Sequence, residues 1–183
     1  GLSGRTPWHQ DAGVLSEKGQ KYTDLITCWV PFTKTTKKNG CMITVPGLQK
    51  KGLFNHDADL KGQAYIRNSE LLNKLKTVAL EANPGDIVLL SKHTVHCSLP
   101  NISNNFRISM DLRYHKSGQP SGRDLLPNFC VRSKNKKNIK IYNFKQWLSI
   151  WEKAKQRCLP KKYTFKYQTP TFKGKKRDLI NLI

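Results

Sequence analysis

Residues 77–115 read "TVALEANPGDIVLLSKHTVHCSLPNISNNFRISMDLRYH", and this stretch decides the fold. Its apolar runs are too short for helices of ordinary length and are separated by turn-forming residues. "TVALEA" and "DIVLLS" flank Pro84-Gly85-Asp86, a turn sequence, so two apolar strands are expected around it. In "FRISMDLRYH" the polar residues Arg107, Ser109, Asp111 and Arg113 alternate with Ile108, Met110 and Leu112. A period of two puts the polar set on one face of a strand and the apolar set on the other.

The same pattern extends upstream. "YTDLITCWVPFT", residues 22–33, is β-branched and aromatic and reads as a largely buried strand. Asn39-Gly40 is a turn signal, and "CMITVPG" alternates after it, so this strand and the next are expected as antiparallel neighbours. Residues 48–61 read as loop, "QAYI" as a short strand, and "NSELLNKLK" as a short helix capped by Asn68 or Ser69. Many short strands divided by turns indicate a mainly β sandwich or jelly-roll barrel, assigned to residues 1–116.

Beyond residue 116 the pattern changes. "SGQPSGRDLLPN" is loop, and "FKQWLSIWEKAKQRC" has helical spacing, with Phe144, Trp147, Leu148, Trp151 and Ala154 on one stripe. Residues 117–158 are therefore expected to form an extension whose helix packs on the barrel. Residues 159–183 combine proline, lysine and isolated aromatics, and read as a basic, weakly ordered tail that contributes little to a core.

The 183 residues suit one domain, and 37% hydrophobic content suits a folded one. Five cysteines, widely spaced and without a CxxC pair, form neither a disulfide framework nor a zinc ribbon. No run is long enough to span a membrane and the first residues lack a signal-peptide pattern, so a cytoplasmic location is expected. The net charge is +21, and residues 117–183 hold 17 Lys+Arg against 3 Asp+Glu. A basic tail can bind nucleic acid. This charge is largely lysine spread through loops, with no helix-turn-helix, zinc-finger or RNA-binding signature, so nucleic acid ranks behind other partners.

Chemistry enters at "TPWHQDAG", residues 6–13. His9 and Asp11, two positions apart in an extended segment, project from the same face and offer two ligands of a 2-His-1-carboxylate iron site. Such a pair is common by chance and needs a third ligand. His93 and His96 both follow the "GDIVLL" strand, and spacing alone does not separate them.

The order "PWHQDAG…DLITCWVPFTKTTKKNGCMITVPG…ANPGDIVLLSKHTVHCSLPNISNNFRISMDLRYH" resembles the phytanoyl-CoA dioxygenase family of iron(II)/2-oxoglutarate-dependent oxygenases. That resemblance implies a double-stranded β-helix (jelly-roll, cupin-like) fold and three metal ligands, His9, Asp11 and His96. His96 is chosen because it opens the "HCSLPN" stretch that matches the family's closing motif. Arg107, eleven residues further on, is implied as the anchor of the distal carboxylate of 2-oxoglutarate. Ser98, Ser109 and Trp29 are implied to line the co-substrate pocket, although structural roles suit them almost equally. The family carries helices and barrel strands upstream of HxD, where this chain has eight residues, so a chain lacking its N-terminal part is expected. The implied activity is hydroxylation of a small organic substrate using iron(II), 2-oxoglutarate and dioxygen, with release of succinate and carbon dioxide. The rival readings are an inactive jelly-roll that only binds a ligand, and a basic nucleic-acid-binding module.

Overall fold

A computed structural model describes residues 5–59, 63–134, 142–158 and 179. Among the described residues eight strands form in chain order: β1 (Ile26–Pro31), β2 (Met42–Thr44), β3 (His56–Ala58), β4 (Ala64–Ile66), β5 (Val78–Leu80), β6 (Val88–Ser91), β7 (His96–Ser98) and β8 (Ser109–Tyr114). Two helices accompany them, α1 (Glu17–Tyr22) and α2 (Phe144–Cys158). One antiparallel sheet has the order β6-β1-β8 and a second the order β5-β2-β7. His9 extends the second sheet by pairing with His96, its N–H donating to the His96 carbonyl at 2.9 Å and the His96 N–H returning at 3.0 Å. Ile66 N–H donates to the Trp8 carbonyl at 2.8 Å, which joins the β3-β4 hairpin to the same edge.

Alternation decides what each sheet buries. In β1, Thr27 and Trp29 point inward and are buried, while Ile26 points out. Trp29, Met42, Ala82 and Leu90 fill the space between the sheets. Behind the second sheet lies another core of Trp8, Val45, Phe54, Ile66, Leu72, Val95 and Cys97. Leu179 joins it at 1% exposure. The remainder of the tail, read from the sequence as adding little to the core, lies outside the described residues.

Several local expectations change. β1 and β2 are not neighbours: they lie in different sheets, because the 32–41 segment crosses between them and Thr35 pairs with Ala82 on the way. The strands around the Pro84-Gly85-Asp86 turn separate likewise, β5 to one sheet and β6 to the other. The turn itself forms, with Gly85 at φ +100° and Asp86 N–H donating to the Asn83 carbonyl at 3.0 Å. Residues 48–61, read as loop, contain a 3-10 turn at Leu48–Lys51 and strand β3. The 68–76 helix is a 3-10 segment, Ser69–Lys74, and Asn68 precedes it in a left-handed conformation without a side-chain cap.

The loop after β8 returns to α1. Ser16 N–H donates to the Gly122 carbonyl at 2.9 Å, and the Thr23 hydroxyl to the Pro120 carbonyl at 2.5 Å. Lys92 Nζ closes the other end of α1 by donating to the carbonyls of Gln20 and Thr23 at 2.8 and 2.6 Å. The outer face of β6-β1-β8 exposes Ile26, Leu89 and Met110, and Ile108 just before β8 is exposed as well. The aromatic stripe of α2 is also largely exposed, from 38% at Trp147 and Trp151 to 71% at Phe144, with only Ala154 of that stripe buried.

Candidate metal and co-substrate site

Between the two sheets lies a cavity of about 190 Å3, and the polar residues singled out in the sequence converge on it. His9 reaches it from the edge of the second sheet. Asp11 follows as the first residue of a 3-10 turn, Asp11–Val14, rather than as a strand residue. The extended backbone of Gln10 still carries both side chains to the same side, with His9 Nε2 4.0 Å from Asp11 Oδ1. His96 enters from β7, and its ring centroid lies 4.2 Å from that of His9. One ligand atom from each of the three residues lies within 4.8 Å of the others. His93 lies outside the cavity lining, while its carbonyl accepts a hydrogen bond from Gln10.

The hydrogen bonds around the histidines leave the right nitrogens free. His9 Nδ1–H donates to the Pro7 carbonyl and His96 Nδ1–H to the Thr94 carbonyl, each at 2.9 Å. Each contact turns Nε2, with its lone pair, toward the cavity. Burial, reinforced by the His96 ring, lowers the His9 pKa to about 4, so the imidazole is neutral at physiological pH. Burial pushes the Asp11 carboxyl up. Arg113, His96, the Thr27 hydroxyl and His9 together outweigh it and hold the group below the usual carboxylate range. Two imidazoles and one ionised carboxylate are a donor set that fits a divalent transition metal.

Gln10, between the two candidate ligands, fixes their backbone. Its fully buried amide donates to the carbonyls of Gly52 and His93, both at 2.8 Å, and accepts from Phe54 N–H at 2.8 Å. His56 lies behind it, Nε2 accepting from Gln10 N–H at 3.1 Å and Nδ1–H donating to the Phe54 carbonyl at 2.9 Å. Both its nitrogens are thus engaged in holding the segment.

On the facing sheet the polar side of β8 lines the cavity through Ser109, Asp111 and Arg113, as its alternation predicts, and Arg107 just before the strand lines it too. The Arg107 guanidinium lies 5.8 Å from the Trp29 ring centroid, and its Nη1–H donates to Ser109 Oγ at 3.1 Å. Among the described residues Arg107 forms no ion pair with a carboxylate, so its charge is available to a ligand. Ser98 is buried on the cavity wall and accepts from Thr6 N–H at 2.7 Å. The seven residues named from the sequence, His9, Asp11, Trp29, Ser98, His96, Arg107 and Ser109, all line this one space. Thr27 was missed, because an inward threonine on an apolar strand looks like any β-branched core residue. Arg113 was visible as a member of the polar face, without a partner.

An antiparallel jelly-roll with a His-Asp-His cluster and a free arginine in its cavity defines a protein built like the mononuclear non-heme iron oxygenases. Residues 1–109 match the family described as phytanoyl-CoA dioxygenase (PhyH), and the chain belongs to that family. A Dictyostelium discoideum protein called "phytanoyl-CoA dioxygenase domain-containing protein 1 homolog" is 35% identical over 121 residues, 62% of this chain and 41% of the relative. A "2-aminoethylphosphonate dioxygenase" from an uncultured bacterium is 30% identical over 116 residues, 63% of this chain and 42% of that protein. The chain thus spans about two-fifths of the length of these curated relatives. The solved structure of ThoJ, described as an apo non-heme monooxygenase, superposes with a TM-score of 0.59 at 18% identity, covering 85% of this chain and 60% of that one. This likeness supports the fold. No helix among the described residues is long and apolar enough to cross a membrane.

Proposed function

We propose that the chain carries the catalytic site of an iron(II)- and 2-oxoglutarate-dependent dioxygenase that hydroxylates a small organic substrate. One observation carries this reading: three candidate metal ligands and an arginine without a carboxylate partner face the same cavity from opposite sheets. His9, Asp11 and His96 would hold iron(II), which when bound supplies the oxidising chemistry and leaves coordination positions for 2-oxoglutarate and dioxygen. Arg107 would take the distal carboxylate of 2-oxoglutarate with its planar fork, oriented by Ser109 and by the face of Trp29. Trp29, Met42 and Leu90 give that cavity an apolar wall, and a low-dielectric wall strengthens the pairing. The aminoethylphosphonate dioxygenase among the relatives takes its name from a small molecule, and the substrate proposed here is of that size class. In this reading residues 1–116 are the catalytic unit, 117–158 an extension and 159–183 a basic tail.

The test is succinate formation. Purified chain supplied with iron(II), ascorbate, 2-oxoglutarate and air is expected to release succinate slowly even without its substrate, and to stop when iron is chelated. Iron binding with no succinate under any of these conditions would favour the rival reading, a jelly-roll that binds without turnover.

A further inference from the structure

A second arginine lines the cavity and has no part in the scheme above. Arg113 Nη2 donates to Asp11 Oδ1 at 2.9 Å, joining residues 102 positions apart. Oδ1 is the oxygen 4.0 Å from His9 Nε2, hence the one turned toward the candidate metal position. The other oxygen, Oδ2, accepts from the Thr27 hydroxyl at 2.5 Å. Thr27 and Arg113 are direct cross-strand partners in the β1-β8 register. One rung of the sheet therefore presents two donors, one to each oxygen of the same carboxylate. Rotating the carboxylate about its Cβ–Cγ bond would break both contacts.

Arg107, just before β8, and Arg113, within it, divide the work. Arg107 keeps its charge free over Trp29, whereas Arg113 spends its charge on an Asp11 carboxylate that is 2% exposed. A buried carboxylate without a cation nearby is costly, and in the metal-free chain Arg113 is the cation that faces it. A carboxylate oxygen has two lone pairs, so Oδ1 can accept from Arg113 and still face a metal. Thr27 meanwhile occupies Oδ2.

We propose that Arg113, with Thr27 as its cross-strand partner, is the positioning residue that makes Asp11 a one-oxygen ligand. The proposal rests on the reading that His9, Asp11 and His96 hold the metal. Without the clamp Asp11 would be free to swing, or to offer both oxygens and so fill a coordination position that the co-substrates need. Partners behind a metal ligand typically change metal affinity about 10- to 100-fold when removed.

Anaerobic titration with cobalt(II), followed by its visible absorption, tests this apart from turnover. Arg113→Gln is expected to weaken cobalt binding about 10- to 100-fold and to change the band shape, with Arg113→Lys recovering part of the affinity. In an Asp11→Asn background, where no buried charge is left unpaired, Arg113→Gln should alter the residual affinity less than about twofold, because Arg113 acts only through Asp11. Unchanged affinity and spectrum in Arg113→Gln would overturn the proposal, as would an equal loss in both backgrounds. If circular dichroism shows that Arg113→Gln does not fold alone, Arg113→Lys decides. A loss of about threefold or more supports the clamp, because one ammonium lacks the fork, and native affinity overturns it. Failure of the unmodified chain to bind cobalt would instead sink the metal-site reading, and this proposal with it.

Discussion

Replacing Arg107 by alanine separates a working oxygenase site from a barrel that only holds metal. The guanidinium is partly buried, sits 5.8 Å above the Trp29 ring and donates to Ser109 at 3.1 Å, so it is pre-oriented before any ligand arrives. Pre-orientation lowers the ordering cost of binding, and the apolar wall of Trp29, Met42 and Leu90 reduces screening. Truncating one partner of such a charge-assisted pair costs about 2–5 kcal/mol, which is roughly a thirty- to several-thousand-fold loss of 2-oxoglutarate affinity. Iron binding should be nearly unchanged, because Arg107 touches none of the three candidate ligands. The assay is the metal-to-ligand charge-transfer band of the anaerobic iron and 2-oxoglutarate complex, followed against keto-acid concentration. Arg107→Ala should move the midpoint up by that factor, and Arg107→Lys should restore only part. The same band at the same keto-acid concentration in Arg107→Ala would refute the assignment and make another residue the anchor.

Other predictions concern stability. His9 has a folded-state pKa of about 4 against 6.5 unfolded, so the unfolded chain binds the extra proton first. Stability should therefore fall as pH drops from about 6.5 to 4, by roughly 3 kcal/mol, and His9→Gln should flatten that part of a urea-denaturation series. Asp11, held below the carboxylate range, adds a second loss only at still lower pH. Gly13→Ala would place a Cβ 2.5 Å from the His56 ring, which Gln10 and Phe54 hold in place. A destabilisation of about 1–3 kcal/mol is expected, with weakened metal binding, and an unchanged melting temperature would contradict it. Leu179→Ala should cost about 2–5 kcal/mol by opening a cavity in the core cluster that holds Phe54 and Ile66, read from chemical denaturation.

The sequence made the strands around residues 77–115 legible because period-two alternation and the Pro-Gly-Asp turn are local signals. Their partners were not, since sheet membership depends on where a loop crosses. Residues 32–41 carry a turn signal at Asn39-Gly40 yet lead into the opposite sheet. The polar face of β8 was readable from alternation, and it lines the cavity while Met110 faces out. His96 could be preferred to His93 only by family resemblance; in the structure, pairing of His96 with His9 makes the difference visible. Thr27 and Arg113 could not be joined to Asp11 from the sequence, because contacts across 16 and 102 residues leave no local pattern. Leu179 was hidden because the lysine-rich residues before it set the reading of the whole 159–183 segment, although it opens the apolar run "LINLI".

Anaerobic iron(II) titration of the unmodified chain beside Asp11→Ala addresses the metal site most directly. One iron(II) per chain is expected for the unmodified protein, with affinity falling steeply in Asp11→Ala because two imidazoles alone make a weak site. Unchanged stoichiometry and affinity in Asp11→Ala would contradict the assignment of His9, Asp11 and His96 as the metal ligands.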